Sequence, residues 1–382
     1  MIRLLHTADW QIGRIFQAFE PDDAAALFEA RFRVVERLAA LAREDQVHAV
    51  LVAGDVFDSQ TVSDKTLRRL FQAMQGFEGP WVLLPGNHDA ALAESVWSRA
   101  ARLGVVPPQV HCVLQPQPLR LAGQLTVLPA PLTQRHTAAD LTAWFDAAPS
   151  AEGDVRLGLA HGCVQGILAE GIDSANPIAA DRAGRARLDY LALGDWHGTR
   201  AVDERSWYAG TPETDRFRAN DSGQALRVDI AGPGAAPQVQ VLATGLHRWR
   251  TLEQRFAVAS DVELCLQALQ ALRPHEVLQL QWQGHCDLAD YRRLQAALEA
   301  ARARVRALVC EAQALQVLPT QQDIDALQAD GFVGDALATL REQLQGPQAE
   351  PARQALLILA QALQPDGPAQ QAAGEALPGS AA

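Results

Sequence analysis

The chain has 382 residues, 48% apolar and 20% charged, which exceeds one average domain and places it among soluble globular proteins. No apolar run approaches the ~20 residues that a membrane-spanning helix needs. The formal net charge of −12 counts against tight stand-alone binding to nucleic acid, though metal ions or a partner can supply local positive charge, so DNA stays open as a substrate. Along the chain, the pattern predicts a strand over residues 2–7, a helix over 23–44, a strand over 47–53, a helix over 63–75 and a strand over 81–84. Further strands are expected over 125–128, 155–160, 188–193 and 225–230, with helical stretches near 91–103 and 138–147. This alternation is that of an α/β fold.

The run Ala231-Gly232-Pro233-Gly234-Ala235-Ala236-Pro237 is a turn-rich break, followed by a strand over 238–242. The pattern then restarts: extended over 249–258, 277–283 and 305–311, helical over 262–272 and 288–303, in β-α-β-α-β order. Glutamine-rich helices are expected over 321–344 and 352–363, and the Ala/Gly/Pro/Gln-rich tail has too few bulky apolar residues to fold. The expected division is therefore 1–245, 246–318, 319–364 and a disordered tail over 365–382. Five dispersed cysteines without a C-x-x-C pair argue against disulfides and thiolate zinc. The opening residues hold too little apolar sequence for a signal peptide, so a cytoplasmic protein is expected.

Five predicted strands end in polar clusters: Asp9-Trp10-Gln11, Gly54-Asp55-Val56-Phe57-Asp58, Gly86-Asn87-His88-Asp89, His161-Gly162 and Gly194-Asp195-Trp196-His197. Ligands gather at the carboxyl ends of strands in α/β sheets, so clusters distant in sequence can converge. Asp, Asn and His form a mixed oxygen and nitrogen set suited to Mn²⁺, Fe or Zn²⁺. A carboxylate bridging two such ions lets them generate a hydroxide nucleophile and neutralise a phosphoryl group. Singly, Asp9 and Asp55 could be helix caps, and Gly-Asp or Asn-His pairs are common; all five in order are specific.

The order D-x-[QH], G-D-x-x-D, G-N-H-D, H-G and G-x-x-H resembles the calcineurin-like metallophosphoesterases. His6-Thr7-Ala8-Asp9-Trp10 and Trp207-Tyr208-Ala209-Gly210-Thr211-Pro212 are similar to the SbcD/YhaO-type DNA repair exonuclease subunits, over about residues 1–230. The resemblance implies a four-layer α/β-β/α sandwich with a smaller α/β capping domain and C-terminal helices. It implies one ion on Asp9, Gln11, Asp55 and His197, and a second on Asp55, Asn87, His161 and Asp195. It gives His88 the transition state or leaving oxygen, Asp89 the orientation of His88, and Asp58 a supporting place beside the ligands. Arg216 falls near the substrate, and Trp10 could stack on a base or simply pack. The implied function is hydrolysis of DNA by an exonuclease, with endonuclease action also open. The implied partners are DNA, an SMC-like ATPase subunit and a second copy of the chain.

Two ligand positions depart from the family pattern, Gln11 and Asp195, where histidine is usual. Glutamine offers a weaker neutral oxygen, and aspartate adds charge. Together with Asp9 and Asp55 they make an oxygen-rich site that should favour Mn²⁺, with Mg²⁺ or Fe as alternatives, over Zn²⁺. Three outcomes stay open: two ions with altered preference, one firm and one labile ion, or a degenerate site. A small-nucleotide phosphodiesterase or phosphatase and a non-catalytic scaffold for DNA ends and an ATPase are the alternative functions. The arginines from Arg182 to Arg218 alternate with acidic residues, which reads as a solvated mixed surface.

Overall fold

In the computed structural model, which describes residues 1–166, 176–318 and 331–362, the apolar runs of the first part of the chain form two six-stranded sheets. Numbered along the chain, the first sheet holds β1 (Ile2–Thr7), β2 (Ala49–Val52), β3 (Trp81–Leu83), β4 (Val110–Cys112), β13 (Gln224–Ile230) and β14 (Gln238–Ala243). Its order is β14-β13-β1-β2-β3-β4; β1 to β4 run parallel, and β13 pairs antiparallel with β1. The second sheet holds β5 (Leu119–Leu121), β6 (Leu125–Ala130), β7 (Val155–His161), β10 (Tyr190–Gly194), β11 (Arg200–Ala201) and β12 (Ser206–Tyr208). Its order is β11-β12-β10-β7-β6-β5, parallel from β12 to β6 with antiparallel edges. Two-residue strands β8 (Cys163–Val164) and β9 (Pro177–Ile178) pair with each other.

The pleat decides which side chains go where. Leu4 of β1, Leu51 of β2 and Val82 of β3 meet Val127, Leu157, Leu159 and Ala192 of the other sheet in a core between the sheets. Their sequence neighbours Leu5, Val50, Val52 and Leu83 point outward onto α1 (Pro21–Glu44), α2 (Asp64–Ala73) and α3 (Val96–Arg102), through Phe32, Val35, Leu38, Leu67, Leu70 and Trp97. The outer face of the second sheet is covered by Phe145, Ala183, Ala186 and Leu188, around the short α4 (Arg182–Arg185) and a 3₁₀ turn. The result is the expected four-layer α/β-β/α sandwich, with a thin helical layer on its second sheet.

Two helices are shorter than the sequence pattern predicts. α3 begins only at Val96, where Ser95 and Ser98 form a capping box. The stretch near 138–147 yields a 3₁₀ turn, because Asp140 Oδ1 accepts the Thr142 N–H at 2.9 Å and so competes with helical bonding. Strands of two or three residues, such as β9, β11 and β12, carry no readable period.

The chain divides into two compact units, Met1–Trp249 and Arg250–Ala382. In the second, β15 (Arg248–Phe256), β16 (Glu276–Cys286) and β17 (Ala307–Val317) form a sheet, with α5 (Ala259–Gln270) and α6 (Leu288–Arg302) between them in sequence. Phe256, Leu269, Leu278, Trp282, Leu294 and Leu298 make its core. α7 (Gly331–Gln343) and α8 (Ala349–Ala362) pack through Leu337 and Leu356. Residues 321–330 of the expected first C-terminal helix and the expected tail over 365–382 lie outside the described residues. Among the described residues, no helix is long and apolar enough to cross a membrane.

One polar side chain sits in the core between the sheets. His6 is fully buried, with Nδ1 2.9 Å from the Tyr190 hydroxyl and Nε2 3.2 Å from the Leu193 carbonyl oxygen. A carbonyl only accepts, so Nε2–H donates to Leu193 and Nδ1 accepts from Tyr190. Burial pushes the imidazole pKa down to about 3, against a smaller upward effect of the Leu193 bond. As pH falls through the ordinary histidine value, the unfolded chain binds the proton first, so stability is lost below about pH 6.5. Between pH 7 and 5.5 the wild type should lose about 1 kcal/mol relative to His6→Gln in denaturant titrations. A pH-independent difference would contradict a buried neutral imidazole.

Candidate metal centre

Parallel pairing puts the polar clusters on one edge. Thr7 of β1 is in register with Val52 of β2, Val52 with Leu83 of β3, and His161 of β7 with Gly194 of β10. Asp9, Asp55, Asn87, His161 and Asp195 therefore leave their strands together at the carboxyl ends. His161 continues the inward positions Val155, Leu157 and Leu159 of β7. Its Nδ1–H donates to the Ala53 carbonyl oxygen at 2.9 Å, which turns Nε2 toward the cluster. There Nε2 lies 3.0 Å from Asn87 Oδ1, 3.5 Å from Asp55 Oδ1 and 3.6 Å from Asp195 Oδ1. Ligand atoms of Asp9, Asp55 and His161 all lie within 4.8 Å of one another.

The loops after β1 and β2 are zipped together. Asp9 N–H donates to Gly54 O at 3.0 Å, Gln11 N–H to Asp55 O at 3.0 Å and Ile12 N–H to Val56 O at 2.9 Å. These bonds hold Asp9, Gln11 and Asp55 in the left-handed region, at φ of 52°, 49° and 51°, and Asp195 stands at φ 101°. Such conformations cost roughly 1–3 kcal/mol each and concentrate at functional sites. Space is equally tight: a Cβ on Gly86 would lie 2.2 Å from Asp55 Oδ1, and one on Gly54 2.2 Å from His161 Nδ1. The Asp55 carboxylate is the hub, with Oδ1 accepting from the His88 N–H at 2.9 Å and Oδ2 from Gln11 Nε2 at 2.8 Å.

His88 keeps about a third of its side chain exposed, with Nε2 3.9 Å from Asp55 Oδ2. Its ring is oriented by the Asp58 backbone, since Nδ1–H donates to that carbonyl oxygen at 2.8 Å. This corrects the expected roles: Asp89 instead accepts the Gly86 N–H at 2.6 Å and the Phe57 N–H at 3.1 Å, bracing the loop. Burial and the Asp55 charge push Asp89 up to about 8, against those two bonds. Trp10 is likewise no stacking platform. It is fully buried, donates to Thr7 Oγ1 at 3.0 Å and packs edge-on against Trp81.

His197 places Nε2 3.9 Å from Asp9 Oδ1. Its surroundings differ from the solvated mixed surface expected of residues 182–218. Glu213 and Asp215 are only 2% and 3% exposed. The buried Arg31 of α1 reaches over to the Glu213 carbonyl and Thr211 Oγ1. Asp215 Oδ2 lies 3.2 Å from His197 Nδ1, 3.2 Å from Arg14 and 3.0 Å from Arg216. Arg14, Arg31 and Asp215 are the residues that sequence reasoning missed; the alternating charges around Asp215 hid it.

The donor set fits divalent cations. Gln11 Oε1 is buried without a hydrogen-bond partner, an acceptor left over for a cation. Burial, aided by Asp55 and Asp195 and opposed by His197 and His161, pushes Asp9 up to about 6. Burial lowers His161, but Asp55, Asp9 and Asp195 outweigh it and push it up to about 9, so a proton there serves the acidic cluster as a cation would. Asp9, Asp55 and His161 form a buried cluster able to hold a divalent ion, with Gln11, Asn87, Asp195 and His197 bordering it.

A family model described as calcineurin-like phosphoesterase matches residues 2–230. The SbcD subunit of nuclease SbcCD from Rhodobacter capsulatus is 38% identical over 95 residues, 24% of this chain and 22% of that protein. The protein of that name from Bacillus subtilis is 25% identical over 92 residues, 23% of this chain and 22% of its own. The chain thus aligns with under a quarter of the length of those two. The Escherichia coli K12 protein of the same name is 26% identical over 342 residues, covering 72% of this chain and 84% of that protein. A solved structure, TT1561 of Thermus thermophilus, aligns at 13% identity and TM-score 0.41 over 64% of this chain and 99% of that one.

Metal should stabilise the folded state. Mn²⁺ at a hundredfold its Kd should add about 2.7 kcal/mol, read as a raised Tm that EDTA reverses. Asp55→Asn should lose most of that gain, and Gln11→His should preserve or raise metal affinity. Loss of metal binding in Gln11→His would show that the Gln11 bond to Asp55 matters more than its free oxygen.

Proposed function

The chain belongs to the calcineurin-like phosphoesterase family, and from that premise we propose that it hydrolyses the phosphodiester backbone of DNA, as an exonuclease in DNA repair. As a family member it is a metal-dependent phosphoesterase. The observation that carries the DNA assignment is the alignment along 84% of a relative named as a nuclease subunit, on a chain whose site retains Asn87, His88, His161 and His197. Two Mn²⁺ ions are the proposed cofactor, because three carboxylates and two amide oxygens make a hard donor set. When bound, such ions supply a nucleophile at neutral pH and neutralise the attacking and leaving oxygens.

The chain's own residues do the rest. Asp55 would serve both ions, and the tight fit of Gly86 against Asp55 and of Gly54 against His161 fixes these two side chains. His88, held through Nδ1–H by the Asp58 carbonyl, turns Nε2 toward the open side, where its doubly protonated form would give a proton to the leaving oxygen. Arg216, about 40% exposed beside His197, is the proposed phosphate contact. Arg218, stacked 4.8 Å over Trp196, extends that cationic edge. With a net charge of −12, broad attraction to DNA is left to a partner. We assign that role to an SMC-like ATPase bound through the C-terminal helices, consistent with relatives named as subunits. The protein is proposed to act in the cytoplasm as a homodimer.

End-labelled linear DNA should be degraded in Mn²⁺ by the wild type and not by His161→Ala, with small phosphodiesters competing poorly. Turnover of the small diesters with DNA left intact would transfer the assignment to a nucleotide phosphodiesterase.

A further inference from the structure

Of the two carboxylates beside His197, Asp9 and Asp215, the second is the one the metal assignment does not use. Its carboxylate is 1% exposed and collects three basic partners from three segments of the chain. Arg14 comes from the loop after β1, Arg216 is its neighbour, and His197 follows β10. Arg31, through the Glu213 carbonyl and Thr211, anchors the turn that carries it. A carboxylate with this many converging partners is costly to bury unless its position matters.

We infer that Asp215 is a positioning residue: it accepts the Nδ1–H of His197, fixes that tautomer and aims the Nε2 lone pair at the ion shared with Asp9. The inference rests on the metal reading above. Two distances support it. Nδ1 faces Asp215 Oδ2 at 3.2 Å, while Nε2 faces Asp9 Oδ1 at 3.9 Å, a gap between two acceptors that suits an intervening cation. Arg216 offers a rival, with its Nη2 nitrogen 2.9 Å from Nδ1 and 3.2 Å from Nε2. A guanidinium only donates, so of the two groups beside Nδ1 the Asp215 carboxylate alone can accept an Nδ1–H. Arg216 is bound to the same carboxylate through Nε at 3.1 Å and Nη2 at 3.0 Å, so Asp215 also sets where that guanidinium meets a phosphate. Histidines that hold metals are commonly oriented by a carboxylate in this way, and removing it costs 10–100-fold in metal affinity.

The test has two readouts independent of turnover. In metal-free wild-type protein, ¹⁵N shifts of His197, assigned with His197→Ala, should report the Nδ1–H tautomer. The near-isosteric Asp215→Asn should weaken one of two Mn²⁺ sites by about 10–100-fold in calorimetric titration, leave the other unchanged, and have no further effect in a His197→Ala background. An Nε2–H tautomer in the wild type overturns the inference, whether or not the variant folds. Two ions bound equally well by wild type and Asp215→Asn also overturn it, leaving the metal assignment intact. A wild type that takes up no Mn²⁺ overturns the metal assignment itself, and this inference with it.

Discussion

Asp55 is the point on which the site depends. Its carboxylate is 2% exposed, accepts from the His88 backbone and the Gln11 amide, and lies within reach of His161 and His88. A buried charge of this kind must be compensated, because desolvating an unpaired carboxylate is expensive. With Asp9 fully buried and Asp195 close by, the acidic cluster pushes His161 up to about 9, toward its charged form, while burial pushes Asp9 up to about 6. Divalent ions would supply that compensation as fixed charge. The zipped loops, the left-handed aspartates and the cramped glycines all hold this arrangement against its own repulsion.

The departures from the family pattern make sense in that light. Gln11 supplies a donor to Asp55 through Nε2 and leaves Oε1 unpartnered, so one side chain both quiets the shared carboxylate and offers a neutral oxygen. Asp195 adds a negative charge at the second position, where the family usually has a neutral imidazole. The balance moves toward hard, oxygen-seeking ions. His88 retains its place because its orientation comes from a backbone carbonyl, which no substitution at Asp58 would remove.

Much of the fold was legible because its long parallel strands carry an apolar period and end in clusters whose order is informative. The inward parity of His161 follows from Val155, Leu157 and Leu159. The helix near 91–103 was over-read because Ser95 caps it late, and β9, β11 and β12 are too short to show a period. The inner face of the site was harder. Trp10 stands inside a metal motif yet packs in the core, since its flanking residues alternate about the loop. Asp215 stands in an alternating charged run that reads as surface, and Arg14 and the buried Arg31, both more than a hundred residues away in sequence, help explain its burial. Pairing at that range leaves no local signal.

Anomalous scattering at the manganese edge, from crystals equilibrated with Mn²⁺, tests the central claim most directly. Two peaks that share Asp55, one facing Asp9, Gln11 and His197 and the other Asn87, His161 and Asp195, are the expected result. A single peak away from Asp55, or none at this edge of the sheets, would contradict the account.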